Sequence, residues 1–186
     1  LRTPEGLIVL CRRVVVLSAL AGLVAGPPAR AQGVGAAPGA VLLRVLGAVQ
    51  TPLALTREQL LTLRWRDYTE ERTVEQDGRP VKLAIRYQGF PLRELLDQAV
   101  LAPDRRAVRK AIVLLTASDG YQTSFSWGEL YNSGLGDGVI LVRAQDGRDL
   151  LETDGLLALR SLQDLRSGPR HVRWVERIQV LLPAGA

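Results

Sequence analysis

With 186 residues, 47% of them hydrophobic and 23% charged, the chain has the balance of one globular domain with a real core, not of a disordered tail. Its formal charge of +5 belongs largely to the N-terminal segment: without residues 1–31, which hold four arginines and Glu5, 20 basic and 18 acidic side chains remain, and a net charge of +2 argues against a nucleic-acid partner. The sole cysteine, Cys11, lies in that same segment, so residues 32–186 can form no disulfide, cysteine nucleophile or thiolate-bound metal.

Arg12 and Arg13 precede an apolar run, Val14 to Gly26, that is too short to span a membrane and leads into Ala29-x-Ala31. This is the pattern of a secretory signal peptide cleaved after Ala31. The paired arginines also fit, loosely, a twin-arginine export signal. The expectation is a periplasmic or secreted protein without a membrane span: signal peptide 1–31, flexible leader 32–40 and a domain over 41–183.

Ala40 to Gln50 reads as a first strand, and Thr56 with Gln59 forms a capping box at the start of a short helix. Two strands joined by the turn Asp77-Gly78 follow, the second alternating Val81, Leu83, Ile85 and Tyr87 against Lys82 and Arg86. The charges of "RDYTEER" suit a solvated strand edge. Pro91 opens an amphipathic helix with Leu92, Leu95, Leu96 and Ala99 on one face. The apolar run Lys110 to Ala117 predicts a strand buried on both faces. After the turn "SDGY" comes "QTSFS", then a second capping box from Ser126 and Glu129 over "WGEL". "GVILVRA", the turn "QDGRDL", "LLALRSL" and "VRWVERIQVLL" complete a set of strands with short helices between them. The fold class is α+β: a mainly-β mixed sheet with a barrel-like core.

The chemistry concentrates in "LRSGPRHVRWVERIQV", Leu165 to Val180. It holds the only histidine, His171, with Arg166, Arg170, Arg173 and Arg177 around a Gly-Pro turn and Arg160 just upstream. Two readings stand open. Alternation places Val172, Trp174, Ile178 and Val180 on one face and His171, Arg173, Arg177 and Gln179 on the other, as in a half-buried strand with a solvated side. The Gly-Pro turn equally suits a cradle for an anion. A triad of His171 with Ser161 or Ser167 and Asp164 lacks a nucleophile elbow. The acidic run Asp146, Asp149, Glu152 and Asp154 misses calcium-loop spacing and reads as turn charges. Trp65, Trp127 and Trp174 read as core or interface aromatics.

Several segments in order resemble the molybdopterin-binding domain of the sulfite-oxidase superfamily, the small exported type especially. They are "LRVLGAVQTPLALTREQLLTL", "YQGFPLRELLDQAVL", "IVLLTASDGYQTSFSWGEL" and the stretch from "VILVRA" to "VERIQV"; the specific parts are Y-x-G-x-P-L-x-x-L-L and G-x-x-x-V-R-W-V-x-x-I. The resemblance implies that fold. It also implies that the loop from Gly168 to Trp174 meets the pterin and phosphate end of the cofactor, through Arg170, His171 and Arg173, with Asp119 and Tyr121 as further contacts. Redox members hold molybdenum through a cysteine between the first helix and the Y-x-G-x-P-L motif. Here Leu63 to Gln88 contains none, Asp154-Gly155 stands for a His-Gly pair, and Ser161 to Asp164 replaces a Val-Pro loop. The expectation is therefore an anionic small molecule or a protein partner in the ancestral pocket, with molybdopterin as a possible ligand. No protein-ligated metal, no catalytic residue and no sulfite oxidation are expected. The alternatives are a molybdopterin oxidoreductase whose metal has pterin and oxygen ligands only, and a structural interaction module.

Overall fold

The computed structural model describes residues 39–102, 104–153, 157–166 and 168–183; the expected signal peptide and most of the expected leader lie outside them. The chain enters through β1 (Val41–Gly47) and β2 (Leu53–Thr56), which turn into α1 (Arg57–Leu61). Thr56 caps that helix reciprocally with Gln59, as the spacing predicts. β3 (Arg66–Gln76) and β4 (Arg79–Pro91) form a long hairpin. Its two-residue turn puts Asp77 at φ 52° and Gly78 at φ 71°, the left-handed pair that matches the twist of the flanking strands. Pro91 ends β4 and caps α2 (Leu92–Ala99), whose Leu92, Leu95, Leu96 and Ala99 are all buried.

α3 (Arg105–Val108) leads to β5 (Ile112–Ala117) and β6 (Gln122–Ser126). β5 is mostly buried, but Ile112 is exposed, so burial on both faces holds only for its inner part. Ser126 and Glu129 box the start of α4 (Trp127–Tyr131), again as the sequence predicts. A 3₁₀ turn (Gly134–Gly138) precedes β7 (Val139–Gln145), and β8 (Arg148–Asp149), α5 (Leu150–Thr153), β9 (Leu157–Ser161) and β10 (Val172–Leu181) complete the described order.

The strands run β2-β1-β10-β9-β7-β4-β3, with β5 and β6 branching from β10 and β8 from β7. β10 is the joint. Its first part pairs with β9, while its second part pairs in parallel with β1 on one side and antiparallel with β5 on the other. The sheet is mixed and mainly β, as expected; its ends, β2 and β3, do not meet, so the barrel-like curvature does not close. Gly47 allows the β1–β10 seam: at φ 96°, a Cβ there would stand 2.2 Å from the Val180 carbonyl oxygen.

The main core brings together Leu43 and Val45 of β1, Leu115, Phe125, Leu141, Leu159 and Ile178 with the buried face of α2. A smaller cluster, Tyr87, Ile140, Val142 and Ala158, lies apart from it, with Tyr68, Ile85, Leu150 and Leu162 around it. Ala158 of this cluster, with Leu150 beside it, reaches the floor of the site described next. Trp65 packs edge-on against Phe90 and donates to the Leu60 carbonyl, and Trp127 stacks on Tyr131, so both are core-flanking aromatics as expected.

Two sequence expectations change. Trp174 does not share the buried face of β10. The strand bulges between Val172 and Val175, and Trp174 sits at φ 55° and 37% exposed while Val175 takes its place in the core. β3 is an edge strand, as its charges suggest, yet Glu70 within it is buried, because Tyr87 and Arg72 satisfy its carboxylate.

Candidate anion site beneath the terminal loop

The loop between β9 and β10 returns over the sheet and is pinned from one side by Arg170. The Arg170 guanidinium meets Glu129 at 2.8 Å and Asp164 at 3.1 Å, and lies 5.0 Å over the Phe125 ring. Burial pushes the Glu129 carboxyl upward, but the Ser126 amide and hydroxyl and then Arg170 outweigh it and hold the group below its ordinary value. The turn before β6 braces the same side. Asp119 accepts from the Tyr121 amide, the Tyr121 hydroxyl donates to the Pro169 carbonyl at 2.9 Å, and the Ser118 amide donates to the Trp174 carbonyl.

Arg173 and Trp174, which follow the loop, border a cavity of about 280 Å³. Leu150, Leu157 and Ala158 make its apolar floor, and Gln145, Arg148, Arg160, Arg173 and Trp174 its polar and aromatic wall. Arg160 is fixed: it donates to the Gln145 side-chain oxygen at 3.2 Å and to the carbonyls of Leu159 and Val172, and lies 5.7 Å over the Tyr87 ring. Arg173 is exposed and has no acidic partner among the described residues. The bulge at Trp174 turns both Arg173 and the indole toward the cavity rim, and a bulky residue held at positive φ is a strained backbone position of the kind that gathers at functional sites.

His171 is half-buried and is not among the residues that line the cavity. Arg72 reaches it from β3, at 2.8 Å from Nδ1 and 3.0 Å from Nε2, and Nε2 lies 3.3 Å from the Ser161 carbonyl. Burial first, then Arg72 and Arg160, push its pKa below the ordinary value, so the imidazole is neutral at pH 7. The Tyr87 hydroxyl, donating to Glu70, is pushed up by burial and by that carboxylate.

Of the five residues proposed from sequence, Arg173 alone lines the cavity; His171 meets Arg72 and the Ser161 carbonyl instead, and Arg170, Asp119 and Tyr121 brace the loop through their own contacts. Sequence reasoning missed Gln145, Arg148 and Trp174 as cavity residues. Arg160 stood in the cationic cluster, but nothing local marked it as a wall residue. Among the described residues no serine triad forms: His171 meets the carbonyl of Ser161 and not its hydroxyl, and Asp164 pairs with Arg170, while Ser167 lies outside the described residues. Of the acidic run, Asp146 accepts from the Arg86 amide and Asp149 pairs with Arg143, while the side chains of Glu152 and Asp154 lie outside the described residues. A larger concavity, about 500 Å³, is lined by Asp67, Arg86, Gln88, Arg143 and Asp146 among others. It mixes both signs of charge and has no comparable cationic wall.

A family model described as "Oxidoreductase molybdopterin binding domain" matches residues 34–183. Among solved structures the chain is similar to the sulfane dehydrogenase SoxCD from Paracoccus pantotrophus, with a TM-score of 0.55 and 22% identity over 74% of this chain. It spans only 37% of the length of that chain, and at this identity the likeness concerns the fold. No curated protein matches the sequence. With the family pattern running through β1, α2 and β10 alike, the chain belongs to the oxidoreductase molybdopterin-binding domain family.

Proposed function

We propose that this protein holds a small phosphate-bearing anion in the cavity at Arg160, Arg173 and Trp174, and that it performs no redox chemistry at a thiolate-bound metal. The observation that carries the reading is Arg173, an exposed guanidinium on the cavity wall without an acidic partner among the described residues. A guanidinium fork meets two phosphate oxygens at once. The Trp174 ring offers a flat face to a heterocycle, and Gln145 orients Arg160. About 280 Å³ is at the small end of ligand cavities, room for a phosphate and one ring system.

Molybdopterin presents two ends to this donor set. The pterin and phosphate end fits the guanidinium, amide and indole groups. The metal end does not fit: residues 32–186 contain no cysteine, and no group of three histidine or acidic residues among the described ones is placed to hold a metal ion. No reaction step is assigned to it. The chain's own residues bind and orient: Arg173 captures the anion, Arg160 and Gln145 fix its depth, and the apolar floor excludes water.

The second reading, an oxidoreductase whose metal has pterin and oxygen ligands only, is favoured by the family match alone. A protein partner at the same pocket is the third. Among the described residues no helix is long and apolar enough to cross a membrane, and we place the protein in the periplasm or outside the cell after cleavage near Ala31. The deciding measurement is molybdenum, tungsten and pterin content of protein from the exported fraction of a host that makes molybdenum cofactor. Pterin or a phosphate ester without metal supports the proposal. Stoichiometric metal with pterin replaces it by the redox reading, and neither moves the search to protein partners.

A further inference from the structure

The β3–β4 hairpin outruns the sheet that carries it. β4 pairs with β7 only from Tyr87 to Pro91, with Arg86 bonded to Asp146 just beyond, so from Glu70 to Ile85 the ladder of each strand is with the other alone. A lone two-stranded ribbon is marginally stable in water. Yet this arm carries a carboxylate, Glu70, that is only 8% exposed. Its Oε2 accepts from the Tyr87 hydroxyl at 2.9 Å and its Oε1 pairs with Arg72 at 2.7 Å. The same Arg72 nitrogen reaches His171 in the terminal loop.

The groups facing the His171 ring are Arg72 and Glu70 from β3 and Arg160 and the Ser161 carbonyl from β9. With Nε2–H donating to the Ser161 carbonyl at 3.3 Å, Nδ1 accepts from Arg72 at 2.8 Å; the same Arg72 nitrogen also stands 3.0 Å from Nε2, a contact that is not a hydrogen bond in this tautomer. Two residues on stands Arg173, then Trp174, whose strained backbone needs support from its surroundings.

We infer that Arg72 is a positioning residue for the cavity: by seating His171 it couples the hairpin arm to the loop that presents Arg173 and Trp174, so that arm and loop open together. The consequence for ligand rests on the anion reading above; the coupling itself does not. It also sets a condition on the imidazole. Protonation would place a donor at Nδ1 opposite the Arg72 donor and a third cation beside Arg72 and Arg160. Acid should therefore release the arm.

The test is amide hydrogen exchange on the full chain without ligand, followed in peptides covering residues 69–86 and 168–174, corrected for the intrinsic pH dependence of exchange. Arg72→Ala at neutral pH should speed both segments together by about tenfold, with Arg72→Lys between it and wild type. Wild type should approach the Arg72→Ala pattern as pH falls below 6.5. His171→Gln, whose amide oxygen can still accept from Arg72, should keep slow exchange at neutral pH and lose the acid response. Faster exchange of the arm with an unchanged loop would mean that Arg72 braces only its own ribbon, and the inference falls. An acid response that survives in His171→Gln overturns it as well, and that variant decides the matter if Arg72→Ala does not fold. Pyrophosphate titration separates the two proposals. Absence of binding to wild type sinks the anion reading while the exchange result still decides the coupling. Binding that Arg72→Ala leaves unchanged removes Arg72 as a positioning residue.

Discussion

Arg170 and Arg173 are three residues apart, one at the end of the loop and the other at the start of β10, and the fold gives them opposite circumstances. Arg170 is held by two carboxylates and an aromatic ring, its charge spent inside the protein. Arg173 stands on the cavity wall with no acidic partner among the described residues. A count of arginines therefore overstates the charge that this stretch can offer to a ligand. What matters is which guanidinium has been neutralised, and by which element.

Variants on the two sides should separate stability from binding. The largest effect is expected from Arg170→Ala, which strands Glu129 and Asp164 and unseats the loop. It should cost about 1–3 kcal/mol in urea unfolding, toward the lower end because Glu129 is partly solvated, and should disturb phosphate binding only indirectly. Arg173→Ala should do the reverse, with unfolding changed by less than about 0.5 kcal/mol and pyrophosphate affinity weakened about tenfold in calorimetry. Equal losses of affinity in the two variants would erase the distinction drawn here.

Trp174 sharpens the cavity side. Trp174→Ala and Trp174→Gly both remove the ring and should lower affinity alike, but glycine relieves the positive φ. The glycine variant should be the more stable of the two by roughly 1 kcal/mol, read from thermal unfolding. The smallest effect concerns His171. Its folded pKa lies below 6.5, so the unfolded chain binds the proton more readily; the neutral ring contributes fully above pH 6.5 and progressively less as pH falls toward the folded value. Urea midpoints measured against pH should show that slope in wild type and lose it in His171→Gln.

Much of the scaffold was legible in the residue order because its signals are local. Thr56 with Gln59, Ser126 with Glu129 and Asp77-Gly78 each act over four residues or fewer, and the structure keeps all three. The period of Leu92, Leu95, Leu96 and Ala99 likewise survives in α2. The site was legible only in part. Arg173 fell within the reading, but the alternation that assigned Trp174 to the core assumed an unbroken strand, and one bulge moved Val175 into that place. Arg72 and Glu70 looked like solvated edge charges because their partner His171 is distant in sequence and nothing local announces it. Gln145 and Arg160 meet because β7 and β9 are neighbours, a fact of topology that no spacing encodes.

The position of β10 in the sheet also has a meaning for the order of events in biosynthesis. Every other described strand leaves the ribosome before it, yet β10 is the piece through which β1, β5 and β9 are joined. Until Leu181 has emerged, the β1 side and the β7 side have no shared seam and the main core has no closing wall. Such long-range pairing is slow to form and leaves apolar edges open meanwhile. A nascent chain of this protein therefore stays unfinished, and open to chaperones, until synthesis has passed the end of β10.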